Sequence, residues 1–200
     1  MSFEMRRRVW LFLATAALVL ALIAPRVEAR EHVAAPELIA YPRGSILVRT
    51  SERRLYFITG QGQAIRYPVG VGKAGQQWTG LKYVEELAVE PHWIAPPGLR
   101  RDRSAPEIIP PGPRNPMGAR VIGLGPGGDY AIHGTNDPSS IGRFVSFGCI
   151  RMFNDDVIDL YGWVRLGPPV VVAGCARLGA AAPNASPECI IAAPETPIAP

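Results

Sequence analysis

The stretch AIHGTNDPSSIGRFVSFGCIRM, Ala131 to Met152, sets His133 and Cys149 among glycines and small polar residues. The chain has only three His and three Cys in 200 residues, so a loop carrying one of each does more than turn. A thiolate is a strong nucleophile, and a neighbouring imidazole can take the thiol proton. Sixteen positions separate the two residues, so only the fold can bring them together. Gly148, lacking a Cβ, would let the amides of Phe147, Gly148 and Cys149 converge on one point, as a developing oxyanion requires. Arg151 lies two residues beyond Cys149 and on a strand would share its face. There it could lower the thiol pKa or hold a substrate carboxylate. Other readings stay open on these residues alone. A free Cys is often a small buried hydrophobe, and a strand-end His is often structural. A zinc site from His92, His133 and Cys149 would lack the tight ligand pairs that zinc sites use.

The elements that must position this pair are mostly strands. ILVRTSERRLYFITGQGQAIRYPVGVG, from Ile46, reads as three strands joined by turns at Gly60 and Gly62. KAGQQWTG, Lys73 to Gly80, reads as a loop. LKYVEELAVEPHWIAPP could hold a strand or a short helix, since Pro91, Pro96 and Pro97 exclude a long element. Arg100 to Gly118 reads as a long irregular insertion, a candidate lid or substrate-facing loop. ARVIGLG and YAIHGT read as two strands. A helix follows Met152, with Asn154 as its N-cap, Asp155 and Asp156 in the first turn, and Val157, Leu160, Tyr161 and Val164 on the core face. PPVVVAG is a final strand. The expectation is a single β-rich domain with one short helix.

The ends are of different character. Residues 1–29 read as a secretory signal peptide: Arg6 to Arg8, the apolar run Val9 to Ala24, and Val27 and Ala29 before a cut. The run is short for a spanning helix, which needs about 20 residues, and an uncleaved anchor would be the one contact with a membrane. Residues 30–44 read as a linker, 45–174 as the folded domain, and 175–200 as an Ala/Pro-rich disordered tail. The net charge of +4 falls to +2 without residues 1–29, at 17 basic and 15 acidic residues. No basic stripe interleaved with aromatics suggests nucleic acid. Export allows disulfides. With three cysteines, Cys175 and Cys189 are the expected pair and Cys149 the odd one out.

IHGTNDPSSIGRFVSFGCIRM resembles the signature of the L,D-transpeptidase catalytic domain, the YkuD family, in which His-Gly-Thr precedes a Ser-x-Gly-Cys-hydrophobic-Arg segment. ILVRTSERRLYFITGQGQAIRYPVGVG is similar to the family's opening hairpin. NPMGARVIGLG is similar to the lead into the His strand, and GWVRLGPPVVV to the last helix end and strand. The resemblance covers about Ser45 to Ala173. It implies a mainly β fold of sandwich or barrel type with one short helix after the catalytic Cys. Cys149 would be the nucleophile and His133 its general base and later acid. The carbonyl of Gly134 would orient the imidazole, and the amides of Phe147, Gly148 and Cys149 would form the oxyanion hole. Ser146 would brace the turn. Apart from the resemblance, Arg143 and Arg151 could hold stem carboxylates, or as surface arginines serve solubility alone. No metal or cofactor is implied, since the thiolate supplies the covalent chemistry. Two departures stand out. Phe147 replaces a His found in many members, and the family's Thr-Pro-x-Gly is reduced to Thr79-Gly80.

The implied activity is peptidoglycan L,D-transpeptidation in the periplasm or cell envelope. The partners would be stem peptides, with another stem or an envelope protein as the amine acceptor. Two alternatives use the same residues differently. Water as acceptor gives a cysteine L,D-carboxypeptidase or peptidase, and an unreactive Cys149 gives a peptidoglycan-binding module.

Overall fold

The computed structural model describes residues 29–95, 106, 108–127 and 129–174. The expected signal segment (apart from Ala29), the 175–200 tail and the Cys175–Cys189 pair lie outside the described residues.

The chain order is β1 (Glu31–Ala34), a 3-10 turn (Pro36–Ala40), β2 (Ile46–Arg49), β3 (Arg54–Gly60), β4 (Gln63–Pro68), β5 (Val71–Gly72), β6 (Gly80–Val89) and β7 (Trp93–Ile94). Then follow β8 (Ile108–Ile109), β9 (Arg120–Leu124), β10 (Tyr130–His133), a second 3-10 turn (Pro138–Ser140), β11 (Phe144–Ser146), β12 (Ile150–Arg151), α1 (Asn154–Trp163) and β13 (Pro169–Ala173). Nine strands form one mixed sheet in the order β1-β4-β3-β2-β13-β6-β9-β10-β12. Only the β2–β13 and β10–β12 pairs in it are parallel.

Strands β2, β3 and β13 are apolar at nearly every position, the pattern of strands covered on both faces. Ile46, Val48, Leu55, Phe57, Val170 and Val172 enter the larger core. Leu47, Tyr56, Ile58 and Val171 enter a smaller one on the opposite face. The larger core also takes Val84 from β6, Ile122 and Leu124 from β9, Ile132 from β10 and Ile150 from β12, with Val157, Leu160 and Val164 from the α1 segment. With Ile65 and Tyr67 from β4, the larger core takes side chains from the strand next to one edge through to β12 at the other. The fold is thus mainly β with one α-helix among the described residues, as the sequence led us to expect.

Three details differ from that reading, and one alternative that it left open, strand or helix after Gly80, is resolved. Residues 30–44 are not a linker. Strand β1 pairs with β4 along the sheet edge, and Leu38 and Tyr41 are buried in the smaller core. Their apolar side chains, not a local period, hold this segment. The stretch after Gly80 is a ten-residue strand. Phe153, not Asn154, is the N-cap of α1, and no side chain caps it. Asn154 instead donates through Nδ2 to the Thr135 carbonyl at 3.0 Å and accepts the Ala119 amide on Oδ1, also at 3.0 Å. Finally, the described part of the Arg100–Gly118 insertion is anchored. Strand β8 pairs with β7, and Asn115, fully buried, donates to the carbonyl of Pro91 at 2.7 Å and accepts the Met117 amide at 2.8 Å.

Candidate active site

The register of two short parallel strands assembles the site. Ile132 pairs with Ile150, and His133 with Arg151. Because side chains alternate along a strand, the buried Ile132–Ile150 pair fixes which face meets the core. Ala131, His133, Cys149 and Arg151 therefore share the other face. Cys149 sits one position before β12, beside Ala131, whose backbone hydrogen bonds to the thiol. A strand spacing of about 4.8 Å and a rise of about 3.3 Å per residue put the Cα atoms of His133 and Cys149 roughly 8 Å apart. That is a diagonal an imidazole and a thiol can bridge.

His133 is 4% exposed. Its Nδ1 lies 2.6 Å from the Gly134 carbonyl oxygen. An oxygen of that kind only accepts, so Nδ1 carries the proton and Nε2 is left as the basic nitrogen. Burial pushes the imidazole pKa down to about 4, against the Gly134 hydrogen bond, with the Arg151 charge adding to the fall. Burial also raises the Cys149 thiol, opposed by the Ala131 hydrogen bond and by Arg151. At neutral pH the resting pair is therefore a thiol and a neutral imidazole, not a preformed ion pair.

Gly134 is held where only glycine fits. A Cβ there would lie 2.2 Å from Asn154 Oδ1 and 3.0 Å from the Ala119 nitrogen. The Asn154 amide thus ties the turn after His133 to the start of β9. Asn136 adds a bond from Nδ2 to the Arg114 carbonyl at 3.0 Å, which places the anchored insertion on the His133 side of the site. A cavity of about 310 Å³ opens here, bounded by Glu90, Gly118, Thr135, Asn136 and Asn154, and Cys149 does not line it.

On the Cys149 side three successive peptide units are each pinned by a side-chain bond. Ser146 Oγ accepts the Gly148 amide at 3.1 Å and donates to the Cys149 carbonyl at 2.6 Å. Trp78 Nε1 donates to the Gly148 carbonyl at 2.9 Å. Gly148 has φ +122°, and a Cβ on it would lie 2.4 Å from a ring carbon of Tyr130. Tyr130 stacks on Trp78 at 4.7 Å between centroids. Lys82 Nζ lies 5.3 Å from the Tyr130 ring and 5.7 Å from that of Trp78. Of the three amides expected to form the oxyanion hole, that of Gly148 is therefore already engaged. Those of Phe147 and Cys149 have no acceptor among the described residues.

The remaining expected residues are placed as follows. Phe147 is 68% exposed, and Lys73 Nζ stands 4.0 Å above its ring. Arg143 is exposed, and its carbonyl accepts the Val71 amide. Arg151 is half-buried, and its Nε is enclosed without a hydrogen-bond partner among the described residues. Among those residues no group of three or more His, Cys, Asp or Glu could hold a metal ion. Trp78, Tyr130, Asn115 and Asn154 were not picked out from the sequence as parts of the site. A tryptophan inside the polar loop KAGQQWTG was the one available signal.

The family model for the YkuD L,D-transpeptidase catalytic domain matches residues 43–172. The probable L,D-transpeptidase ErfK/SrfK of Escherichia coli K12 is 38% identical over 140 residues, covering 65% of this chain and 44% of that protein. The chain thus spans less than half the length of this relative. The probable L,D-transpeptidase YcfS of the same organism is 34% identical over 153 residues, covering 72% and 48% of the two chains. Among solved structures, an L,D-transpeptidase from Mycobacterium smegmatis shares the fold at TM-score 0.50 and 20% identity, covering 66% of this chain and 59% of that one. With its His-Gly and Ser-x-Gly-Cys segments joined on one sheet face and the family match running across both, the chain belongs to the YkuD family of L,D-transpeptidase catalytic domains, cysteine-dependent enzymes of the peptidoglycan cell wall.

Proposed function

We propose that this protein is an exported L,D-transpeptidase acting on peptidoglycan stem tetrapeptides, with Cys149 as nucleophile and His133 as base. The observation that carries the reading is the shared face of His133 and Cys149 on β10 and β12, with His133 Nδ1 committed to Gly134. His133 Nε2 takes the thiol proton as Sγ attacks the carbonyl of the third stem residue, diaminopimelate. The oxyanion develops toward the amides of Cys149 and Phe147. Collapse breaks the C–N bond, and His133 returns its proton to the departing D-Ala amine. An acceptor amine then attacks the thioester, gives its proton to Nε2, and displaces the thiolate, which regains that proton. Neutrality of the imidazole at neutral pH suits it to begin as a base. Arg151 Nε, without a hydrogen-bond partner among the described residues, supports a role in holding a substrate carboxylate near the thiol. Arg143, on the exposed rim, is a second candidate for that role. The Arg6–Arg8 start and the apolar stretch after it support export to the periplasm.

The test is to incubate the purified protein with tetrapeptide muropeptides and millimolar acceptor, either a second stem or a D-amino acid. Cross-linked dimers or D-Ala exchange, both lost in Cys149→Ala, are expected. Tripeptide alone would make the enzyme a carboxypeptidase. An intact tetrapeptide with no Cys149 adduct would make the domain a binding module.

A further inference from the structure

We infer that Trp78 is a positioning residue for acyl transfer, aiming the Cys149 amide at the oxyanion. The inference rests on Cys149 attacking an acyl carbonyl, as proposed above. The Gly148 carbonyl and the Cys149 N–H belong to one peptide unit. No peptide bond among the described residues is cis, and in a trans unit the carbonyl and the N–H point in opposite directions. By donating to the Gly148 oxygen at 2.9 Å, the indole N–H turns the Cys149 N–H away from itself. That amide finds no acceptor among the described residues, so it is free for a ligand oxygen.

Rotating this unit about its flanking bonds would cost little without the indole, because Gly148 has no Cβ and a wide choice of φ and ψ. The neighbouring units are held independently by Ser146 Oγ. The unit between them has Trp78 Nε1 as its one side-chain bond among the described residues. Tyr130 completes the device. Its ring fills the space beside the Gly148 Cα, and its stack on Trp78 at 4.7 Å fixes the indole plane. Lys82 caps both rings. The sequence that supplies this is a loop, Lys73–Gly80, folded onto the Cys149 turn by the bonds Lys73 N–H to Ser146 O and Trp78 Nε1 to Gly148 O.

The experiment compares two reactions of the same thiol in the full-length protein and in Trp78→Phe, which keeps a stacking ring and loses the N–H. Alkylation by iodoacetamide displaces iodide and passes through no oxyanion. Acylation by p-nitrophenyl acetate passes through a tetrahedral oxyanion and needs no stem peptide. In Trp78→Phe, acylation should fall about tenfold relative to wild type, short of the 10²–10³ lost when an oxyanion donor is deleted outright. Alkylation should stay within twofold at every pH tested. With tetrapeptide, kcat should fall while KM holds. Equal losses in both reactions would make Trp78 a structural support of the thiol and overturn the inference. So would no loss in either, or a rise in KM alone. A wild-type protein acylated no faster than a free thiol of matched thiolate content would also overturn it, since no oxyanion site would exist to be oriented. Failure with tetrapeptide but success with the ester would sink the proposed substrate and leave the role of Trp78 standing.

Discussion

His133 Nδ1 and the carbonyl oxygen of Gly134, its neighbour in sequence, lie 2.6 Å apart in a site closed to water on the imidazole side. The bond fixes the tautomer, and the closure has a thermodynamic consequence. In the unfolded chain His133 titrates near its ordinary value of 6.5, whereas in the folded protein burial holds it at about 4. Between these values the unfolded state binds a proton that the folded state refuses. Stability therefore falls as pH drops from about 6.5 to about 4, and this contribution is then exhausted. The full difference is about 3 kcal/mol. Urea unfolding of wild type and His133→Gln at several pH values should show a shallower acid loss in the variant. Parallel curves would show that the folded imidazole titrates normally.

Arg151 faces both members of the pair, and its charge lowers both pKa values. Burial nonetheless leaves the Cys149 thiol above its ordinary value of 9.0. Iodoacetamide alkylation of Cys149 in wild type should therefore keep rising beyond pH 9. Arg151→Gln removes a cation that favours thiolate and disfavours imidazolium. The midpoint of alkylation and the His133 midpoint, read by NMR, should both move upward. A thiol midpoint that stayed fixed or fell would show that the guanidinium does not act on Sγ.

Ser146 is 2% exposed and its one hydroxyl serves two backbone groups on either side of the nucleophile. Ser146→Ala leaves the Gly148 amide and the Cys149 carbonyl without that partner. Each buried polar group left unpaired costs about 1–3 kcal/mol, so a loss of roughly 2 kcal/mol in stability is expected. The freed Gly148 amide would also allow the turn to re-orient. Ester acylation should then fall about tenfold or more. Unchanged stability and rate would mean the hydroxyl makes neither bond in solution.

What was legible in the sequence and what was not follow a physical line. Short apolar, β-rich runs between turn residues exposed β2, β3, β4, β9, β10 and β13, since each buries most of its side chains. The helical spacing of Val157, Leu160 and Val164 did the same for α1, and all three are buried. His133 and Cys149 stood out because their residue types are rare in this chain. The hidden features act through single bonds to distant backbone. Trp78 reaches Gly148 across 70 positions, and Asn154 reaches Ala119 across 35. Asn154 read as a cap because residue type and position before an apolar period are what capping looks like locally. Its tertiary partners at Ala119 and Thr135 outcompeted that use. Leu38 and Tyr41 are not legible because a proline-bearing segment has no period, and their core comes from distant residues, Leu47, Tyr56, Ile58, Ala64 and Val171.

Asn115 offers a test of whether the insertion is a mobile lid or a fixed wall. It is fully buried, and its Nδ2 sits within 2.7 Å of the Pro91 carbonyl and 3.2 Å of those of Ile109 and Pro110. Its Oδ1 accepts the Met117 amide. One side chain thus ties the approach to β7 to both ends of the segment between β8 and Gly118. Asn115→Ala would strand several of these groups at once, at about 2–3 kcal/mol. The loss should be local, because no core side chain is touched. Amide exchange should rise over residues 108–118 and at Thr135 and Asn136, which the segment abuts through Arg114. Exchange in β2, β3 and β13 should be unchanged once corrected for global stability. Since Gly118 packs against Gly134 and Thr135, loosening it should also free the turn that holds the imidazole. Acyl transfer should then slow while iodoacetamide alkylation of Cys149 stays near wild type. If exchange across 108–118 is already fast in wild type, the segment is a lid and Asn115 does not hold it.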